Sequence, residues 1–101
     1  MSIFVSVEDK EGDLKGEVFE IEQIQSRFKD VKNSHYLRFI TEDIDTRFNR
    51  YQAPFLAEEL ETLRDSALSD KETREIQQLL NLCKKVNKDK NLNLNFYGDK
   101  E

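Results

Sequence analysis

The sequence feature that most constrains the fold of this chain is a change in the spacing of apolar residues at its single proline, Pro54. Before Pro54, short apolar runs alternate with polar residues as strands do, whereas after it apolar residues recur every three or four positions, as on one face of a helix. Proline suits the first helical turn because the amide that it lacks would have no partner there. We therefore predict an amphipathic helix over residues 54–67. Its apolar face consists of Leu56, Leu60, Leu63 and Ala67.

A second helix is predicted to begin after Ser69. Ser69 and Glu72 have the spacing of a capping box, in which each side chain bonds an otherwise unpaired amide at the helix start. The helix is expected to end near Lys88. Its apolar face consists of Ile76, Leu79, Leu80, Cys83 and Val86. Residues 92–97 alternate apolar and polar side chains before a glycine, so they are predicted to form the last strand.

Four strands are predicted before the proline. Residues 2–7 are rich in β-branched and aromatic residues and alternate regularly. Residues 17–21 fit a second strand, although the apolar spacing that continues through Phe28 is also partly helical, and both interpretations stay open. Residues 36–40 and 46–51 are rich in strand formers and flank an acidic turn, which predicts a hairpin.

The predicted order is therefore β-β-β-β-α-α-β. Strands gathered before helices indicate an α+β fold, because a parallel sheet would need helices between successive strands. We expect a single domain over residues 1–101, with a mostly antiparallel sheet of four to five strands and a two-helix hairpin packed on one face. Leu, Ile, Val and Phe supply 29 of the 101 residues, which is enough for one core.

The charge of the chain is acidic, with a formal net charge of −5, and the acids are concentrated between residues 8 and 30. This balance argues against nucleic acid as a partner, because phosphate backbones attract an excess of Lys and Arg. No apolar run approaches the roughly 20 residues of a membrane span, and no segment resembles a signal peptide. We expect a cytoplasmic protein with no membrane partner.

Motifs for catalysis and cofactor binding are missing from the sequence. The single histidine, His35, and the single cysteine, Cys83, cannot supply the usual ligands of a zinc site, and three glycines cannot build a phosphate-binding loop. We therefore expect no enzymatic activity, no catalytic residue, no metal and no cofactor. The alternative is a small carboxylate-dependent metal-binding domain or enzyme that uses Glu42, Asp43 and Asp45, since hard cations bind oxygen ligands.

The segment between His35 and Pro54 interleaves aromatic rings with guanidinium and amide groups, which are residue types that protein interfaces favour. A hairpin would place alternate members side by side. The candidate binding residues are Arg38, Asp45, Arg47, Asn49, Arg50, Tyr51 and Gln52. Two interpretations stay open: these residues form a binding face, or they form a hydrogen-bond network that fixes the hairpin to the helix start.

Three stretches carry a resemblance to known proteins. They are Leu37-Arg38-Phe39-Ile40, then Asp45-Thr46-x-Phe48-Asn49-x-x-Gln52-x-Pro54-x-Leu56-x-x-Glu59-Leu60, and Phe96-x-Gly98-Asp99. Together they resemble small uncharacterised bacterial proteins of unknown function. The resemblance implies a bacterial stand-alone domain, names no activity, and singles out Arg38, Asp45, Asn49 and Gln52.

These observations favour a non-enzymatic module for protein–protein interaction. Small size, acidity and the lack of catalytic motifs also suit an immunity or inhibitor protein, which would cover a basic surface of its partner by charge complementarity. The expected partner is thus another protein, basic in that narrower version. An exposed edge on the first or last strand could pair with a second copy, so a homodimer stays open.

Overall fold

The computed structural model describes residues 3–31, 34–41 and 43–98, which form one sheet, two α-helices and two short 3-10 helices. The strands are β1 (Ile3–Asp9), β2 (Phe19–Ile21), β3 (Thr46–Phe48) and β4 (Leu92–Gly98). The α-helices are α1 (Ala53–Asp65) and α2 (Asp70–Lys88). The 3-10 helices, Gln25–Asp30 and Leu37–Phe39, lie between β2 and β3.

The sheet has the strand order β2-β1-β4-β3, and every neighbouring pair is antiparallel. β1 and β4 pair along their whole length, from Ile3 opposite Gly98 to Asp9 opposite Leu92. The first and last strands therefore lie at the centre of the sheet, and the expectation of an exposed edge on either of them is wrong. The edges belong to β2 and β3, which have three residues each and so offer little backbone for pairing with another chain.

The core lies between the sheet and the helix pair, which confirms the α+β class and the helix hairpin on one face. Alternate residues of the central strands point toward the helices because side chains alternate across a strand. The buried residues of these strands include Ile3, Val5, Val7, Leu92, Leu94 and Phe96. They meet the apolar faces predicted for α1 and α2, which are buried from Leu56 to Leu63 and from Ile76 to Val86. Among the described residues, neither helix has the length and apolar character needed to cross a membrane.

The second helix begins as its sequence predicts. The Ser69 hydroxyl accepts a hydrogen bond from the Glu72 amide at 3.2 Å. The return bond is displaced by one residue, because the Glu72 carboxylate accepts from the Leu68 amide at 3.3 Å. Cys83 lies on the buried face of this helix, and burial raises the pKa of its thiol to about 12, so the thiol stays protonated.

The predicted strand over residues 36–40 is wrong, and with it the predicted hairpin. Leu37–Phe39 is a 3-10 helix, and β3 pairs with β4 instead. The cause is Glu59 on α1, whose carboxylate accepts hydrogen bonds from three consecutive amides, those of His35 at 2.8 Å, Tyr36 at 3.1 Å and Leu37 at 2.9 Å. These amides point at a helix side chain, so the segment does not extend along a neighbouring strand.

A second helix glutamate likewise binds three consecutive backbone amides, in the chain after β2. The Glu75 carboxylate on α2 accepts from three consecutive amides, those of Glu22 at 3.1 Å, Gln23 at 3.0 Å and Ile24 at 3.2 Å. The 3-10 helix Gln25–Asp30 follows immediately. The two interpretations of residues 17–28 are thus both partly right, because a short strand is followed by a helical segment.

We expect Glu59→Ala to lower the free energy of unfolding by about 2 kcal/mol, because three amides lose a charged acceptor. Glu58→Ala is the matched control, since Glu58 is the exposed neighbour on the same helix. Urea denaturation followed by circular dichroism measures both changes. Equal unfolding free energies for the two variants would contradict the role given to Glu59.

Candidate protein-binding surface

Residues 49–52 form the turn that leads from β3 into α1. The side-chain oxygen of Asn49 accepts from the amides of Tyr51 at 2.9 Å and Gln52 at 3.0 Å. The Gln52 side-chain oxygen accepts in return from the Asn49 amide at 2.9 Å. This reciprocal pattern is that of a capping box. It supports the network interpretation for Asn49 and Gln52, because their side-chain oxygens bond within the turn.

Asp45 and Arg47 connect β3 to β4. The Asp45 carboxylate accepts from the Gly98 amide at 3.3 Å. The Arg47 Nε donates to the side-chain oxygen of Asn95 at 3.0 Å, while the side chain as a whole stays exposed. Arg47 forms no ion pair with any part of the chain that the structure describes. Asp45 and Arg47 therefore hold the edge strand in place, and Arg47 also presents charge at the surface.

Arg38 and Tyr51 are exposed and Arg50 is partly exposed, and each arginine lies beside an aromatic ring. The guanidinium carbon of Arg38 lies 4.9 Å from the centre of the Phe39 ring, and that of Arg50 lies 5.5 Å from the centre of the Tyr51 ring. Both distances suit cation–π attraction. The candidate residues thus divide into two groups, one bonded within the fold and one exposed beside aromatic rings.

Four aromatic side chains near the second 3-10 helix and the start of α1, those of Tyr36, Phe39, Tyr51 and Phe55, make up a group that we call the aromatic strip. Tyr36 immediately precedes the 3-10 helix that Phe39 ends, and Tyr51 lies two residues before α1, whose third residue is Phe55. The rings of Tyr36 and Phe55 stack with their centres 6.1 Å apart and connect the two segments.

The aromatic strip is connected to the core through Phe48. The Tyr36 ring meets the Phe48 ring edge to face at 5.8 Å, and Phe48 meets the buried Phe96 ring in the same way at 5.8 Å. Aromatic pairs of this geometry contribute beyond the area that they bury. Tyr36, and through its stacking Phe55, is therefore connected to the core.

The face of the sheet that the helices leave open contains a polar network that the sequence analysis missed. The Glu8 carboxylate accepts from the Ser6 hydroxyl at 2.6 Å and from the Tyr97 hydroxyl. Glu8 pairs in register with Asn93, four residues before Tyr97, so the Glu8 and Tyr97 side chains must reach toward each other across roughly 13 Å of strand. Together they cover Ser6 and Asn95, which explains why both are buried on this face. The alternation of β1 and β4 was the signal, because it assigns these polar residues to one face.

The predicted carboxylate site over residues 42–45 is only partly within the described chain. Glu42 lies outside the described residues, and Asp43 is exposed. Asp45 accepts from the Gly98 amide. The metal-binding alternative that rests on these three residues stays a prediction.

A different group of carboxylates, Asp9, Glu11 and Asp13, comes together after β1, with ligand oxygens within 4.8 Å of one another. The Asp9 carboxylate accepts from the amides of Asp13 at 2.9 Å and Glu11 at 3.0 Å, and Lys15 Nζ lies 3.6 Å from it. These contacts, the Asp13 amide first, lower the pKa of Asp9. The hydrogen bonds account for the cluster as a tight turn.

Comparisons of the chain with protein-family models, with curated proteins and with solved structures give no significant match.

We expect Asn49→Ala to lower the free energy of unfolding by about 1 kcal/mol, because the amides of Tyr51 and Gln52 lose their side-chain acceptor. Gln52→Ala should lower it separately, because the Gln52 side chain accepts from the Asn49 backbone amide, which Asn49→Ala keeps. Urea denaturation measures both changes. Arg50→Ala, which lies between the two residues, is the control, and an unfolding free energy equal to that of Arg50→Ala in either variant would contradict the corresponding bond.

The hydrogen bond to Glu8 raises the pKa of Tyr97 above its ordinary value of 10.0, with further contributions from burial and from the Glu8 charge. The folded state then holds the Tyr97 proton more tightly than the unfolded state does. The stability that this bond gives is complete below about pH 10 and is lost as pH rises through the folded pKa. The difference in unfolding free energy between the unmodified protein and Tyr97→Phe should therefore shrink above pH 10. Tyr51→Phe is the control, and a difference that stays constant with pH would contradict the bond.

Proposed function

We propose that the protein is a non-enzymatic protein-interaction module and that the aromatic strip is the centre of its binding surface. The observation that carries the proposal is the exposure of three strip residues, 48% for Phe39, 73% for Tyr51 and 53% for Phe55. Large apolar groups that share one exposed surface mark interaction sites in soluble proteins. Arg38 and Arg50 beside these rings add the residue type that most often accompanies aromatic hot spots.

The attachment of Tyr36 and Phe55 to the core also supports this proposal. Glu59 fixes the backbone on either side of Tyr36, Phe48 connects the Tyr36 ring to the core, and Phe55 stacks on that ring. A partner that covers these two rings would have less side-chain freedom to remove, and ordering is a main cost of association.

We propose another protein as the partner, and a basic one if the module is an immunity or inhibitor protein. The acidic segment, residues 8–30, supports a basic partner, because two of the basic residues in this segment already form ion pairs within the chain. Lys15 pairs with Asp9, and Arg27 pairs with Glu72 at 2.6 Å. The acids of this segment that stay exposed are Glu11, Asp13, Glu17, Glu20 and Glu22. Such a surface would speed the approach of a basic protein at low salt.

A cytoplasmic location and a bacterial origin complete the proposal. A single buried thiol, that of Cys83, suits a reducing compartment. The bacterial origin rests on the sequence resemblance alone.

The test compares the proteins that three immobilised variants capture from the native cell extract. We expect a partner that binds to the unmodified protein to bind about thirtyfold more weakly to the double variant Tyr51→Ala, Phe55→Ala, because aromatic hot spots dominate such interfaces. Leu68→Ala is the matched control. Leu68 is 81% exposed but lies beyond the opposite end of α1, so its removal should leave capture unchanged.

Quantitative mass spectrometry of the captured proteins decides the result. A partner retained by the control and lost by the double variant supports the proposal. Capture of the same proteins in the same amounts by all three variants would contradict it. For the basic version, association of the partner should slow as salt concentration rises.

A further inference from the structure

A groove of about 290 Å³ lies beside the aromatic strip, between the chain that precedes the second 3-10 helix and the first turns of α1. Tyr36 and Phe55 supply its aromatic walls. Glu58 and Glu59 supply its carboxylates, and the Thr62 hydroxyl lies at its end. The groove is therefore continuous with the proposed binding surface and differs from it in charge.

The two carboxylates of the groove differ in their hydrogen bonding. Glu59 accepts from three backbone amides, which offset much of its charge. The Glu58 side chain is exposed and has no hydrogen bond or ion pair with any described residue. No Lys or Arg is among the described residues that line the groove, and His35 and Tyr36 are its remaining titratable residues beside the two glutamates. The groove consequently carries net negative charge, concentrated at Glu58.

The bases of α1 do not compensate this charge. The helix contains four carboxylates, from Glu58 to Asp65, and one arginine. That arginine, Arg64, lies in the last turn and donates to Gln77 at 3.2 Å, so it points toward α2 and away from the groove. The potential at the start of the helix is thus not neutralised by its own bases.

The rings of the aromatic strip also differ in whether a cation of the chain lies over them. Arg38 already lies over the Phe39 ring, and Arg50 lies over the Tyr51 ring. Within the described chain, no cation lies over Tyr36 or Phe55, the two rings that wall the groove. The unoccupied aromatic walls and the unpaired carboxylate therefore meet at the same place.

We infer that this groove accepts a Lys or Arg side chain of the protein partner, with its charged head at Glu58 and beside the Phe55 ring. A cation gains attraction from the carboxylate and from the ring, and the aliphatic stem of either residue can lie along apolar walls. The inference rests on the proposed function and adds the chemistry of one contact. It also gives the basic partner a defined point of attachment.

The test selects peptides from a random displayed library on the immobilised full-length protein. Peptides that bind at the aromatic strip should be enriched in Lys or Arg next to apolar residues. Their affinity for Glu58→Gln should fall about fivefold, the effect of one partly exposed ion pair. Glu61→Gln is the control, because Glu61 is an exposed glutamate of the same helix that does not line the groove.

Phe55→Ala separates this inference from the proposed function, and a thermal melt of this variant checks that it is folded. Peptides that depend on Phe55 but bind equally to Glu58→Gln would overturn the cation groove and leave the interaction module standing. Peptides enriched in Asp or Glu would overturn it as well. Peptides that bind equally to Phe55→Ala would contradict the proposed function itself.

Discussion

Two helix glutamates, each accepting hydrogen bonds from three consecutive backbone amides, hold the part of this structure that is neither strand nor α-helix. Between β2 and β3 the described chain forms only two 3-10 helices, and backbone amides left without partners there would be costly. Glu75 fixes the start of this connection to α2, and Glu59 fixes its second half to α1. The helices therefore build the core with their apolar faces and position the aromatic strip with their polar ones.

The position of β3 extends this arrangement across the sheet. β3 is a short edge strand, and it is held by bonds from Asp45 and Arg47 to β4 and by the contact of its Phe48 ring with Phe96. The capping box of residues 49–52 follows at once and starts α1. Sheet edge, turn and helix start are thus connected by consecutive local interactions, which explains how a segment with little regular structure presents aromatic rings in fixed positions.

The sequence predicted the long elements well and the short ones poorly, for a physical reason. β4, α1 and α2 have periods that repeat often enough to be unambiguous. Residues 36–40 have the local preferences of a strand, but the amides of Tyr36 and Leu37 bond to Glu59, which lies 23 and 22 positions further along the chain, and no local pattern reveals it. For the candidate site, Asn49 and Gln52 have the same three-residue spacing as Ser69 and Glu72, so their hydrogen bonds could have been predicted from the sequence. The bond between Glu8 and Tyr97 joins opposite ends of the chain and was not readable.

The candidate residues have two roles, bonding within the fold and contacting a partner. Which role a residue takes follows from its hydrogen-bonding capacity. Asn49 and Gln52 use their side-chain oxygens within the turn, and breaking those bonds to contact a partner would return little net free energy. Exposed aromatic rings and unpaired charges can contact a partner without breaking hydrogen bonds within the fold. The aromatic rings can therefore supply buried area, while the exposed charge of Glu58 can orient what binds. Selectivity on this surface should consequently depend on charge placement, and affinity on the rings.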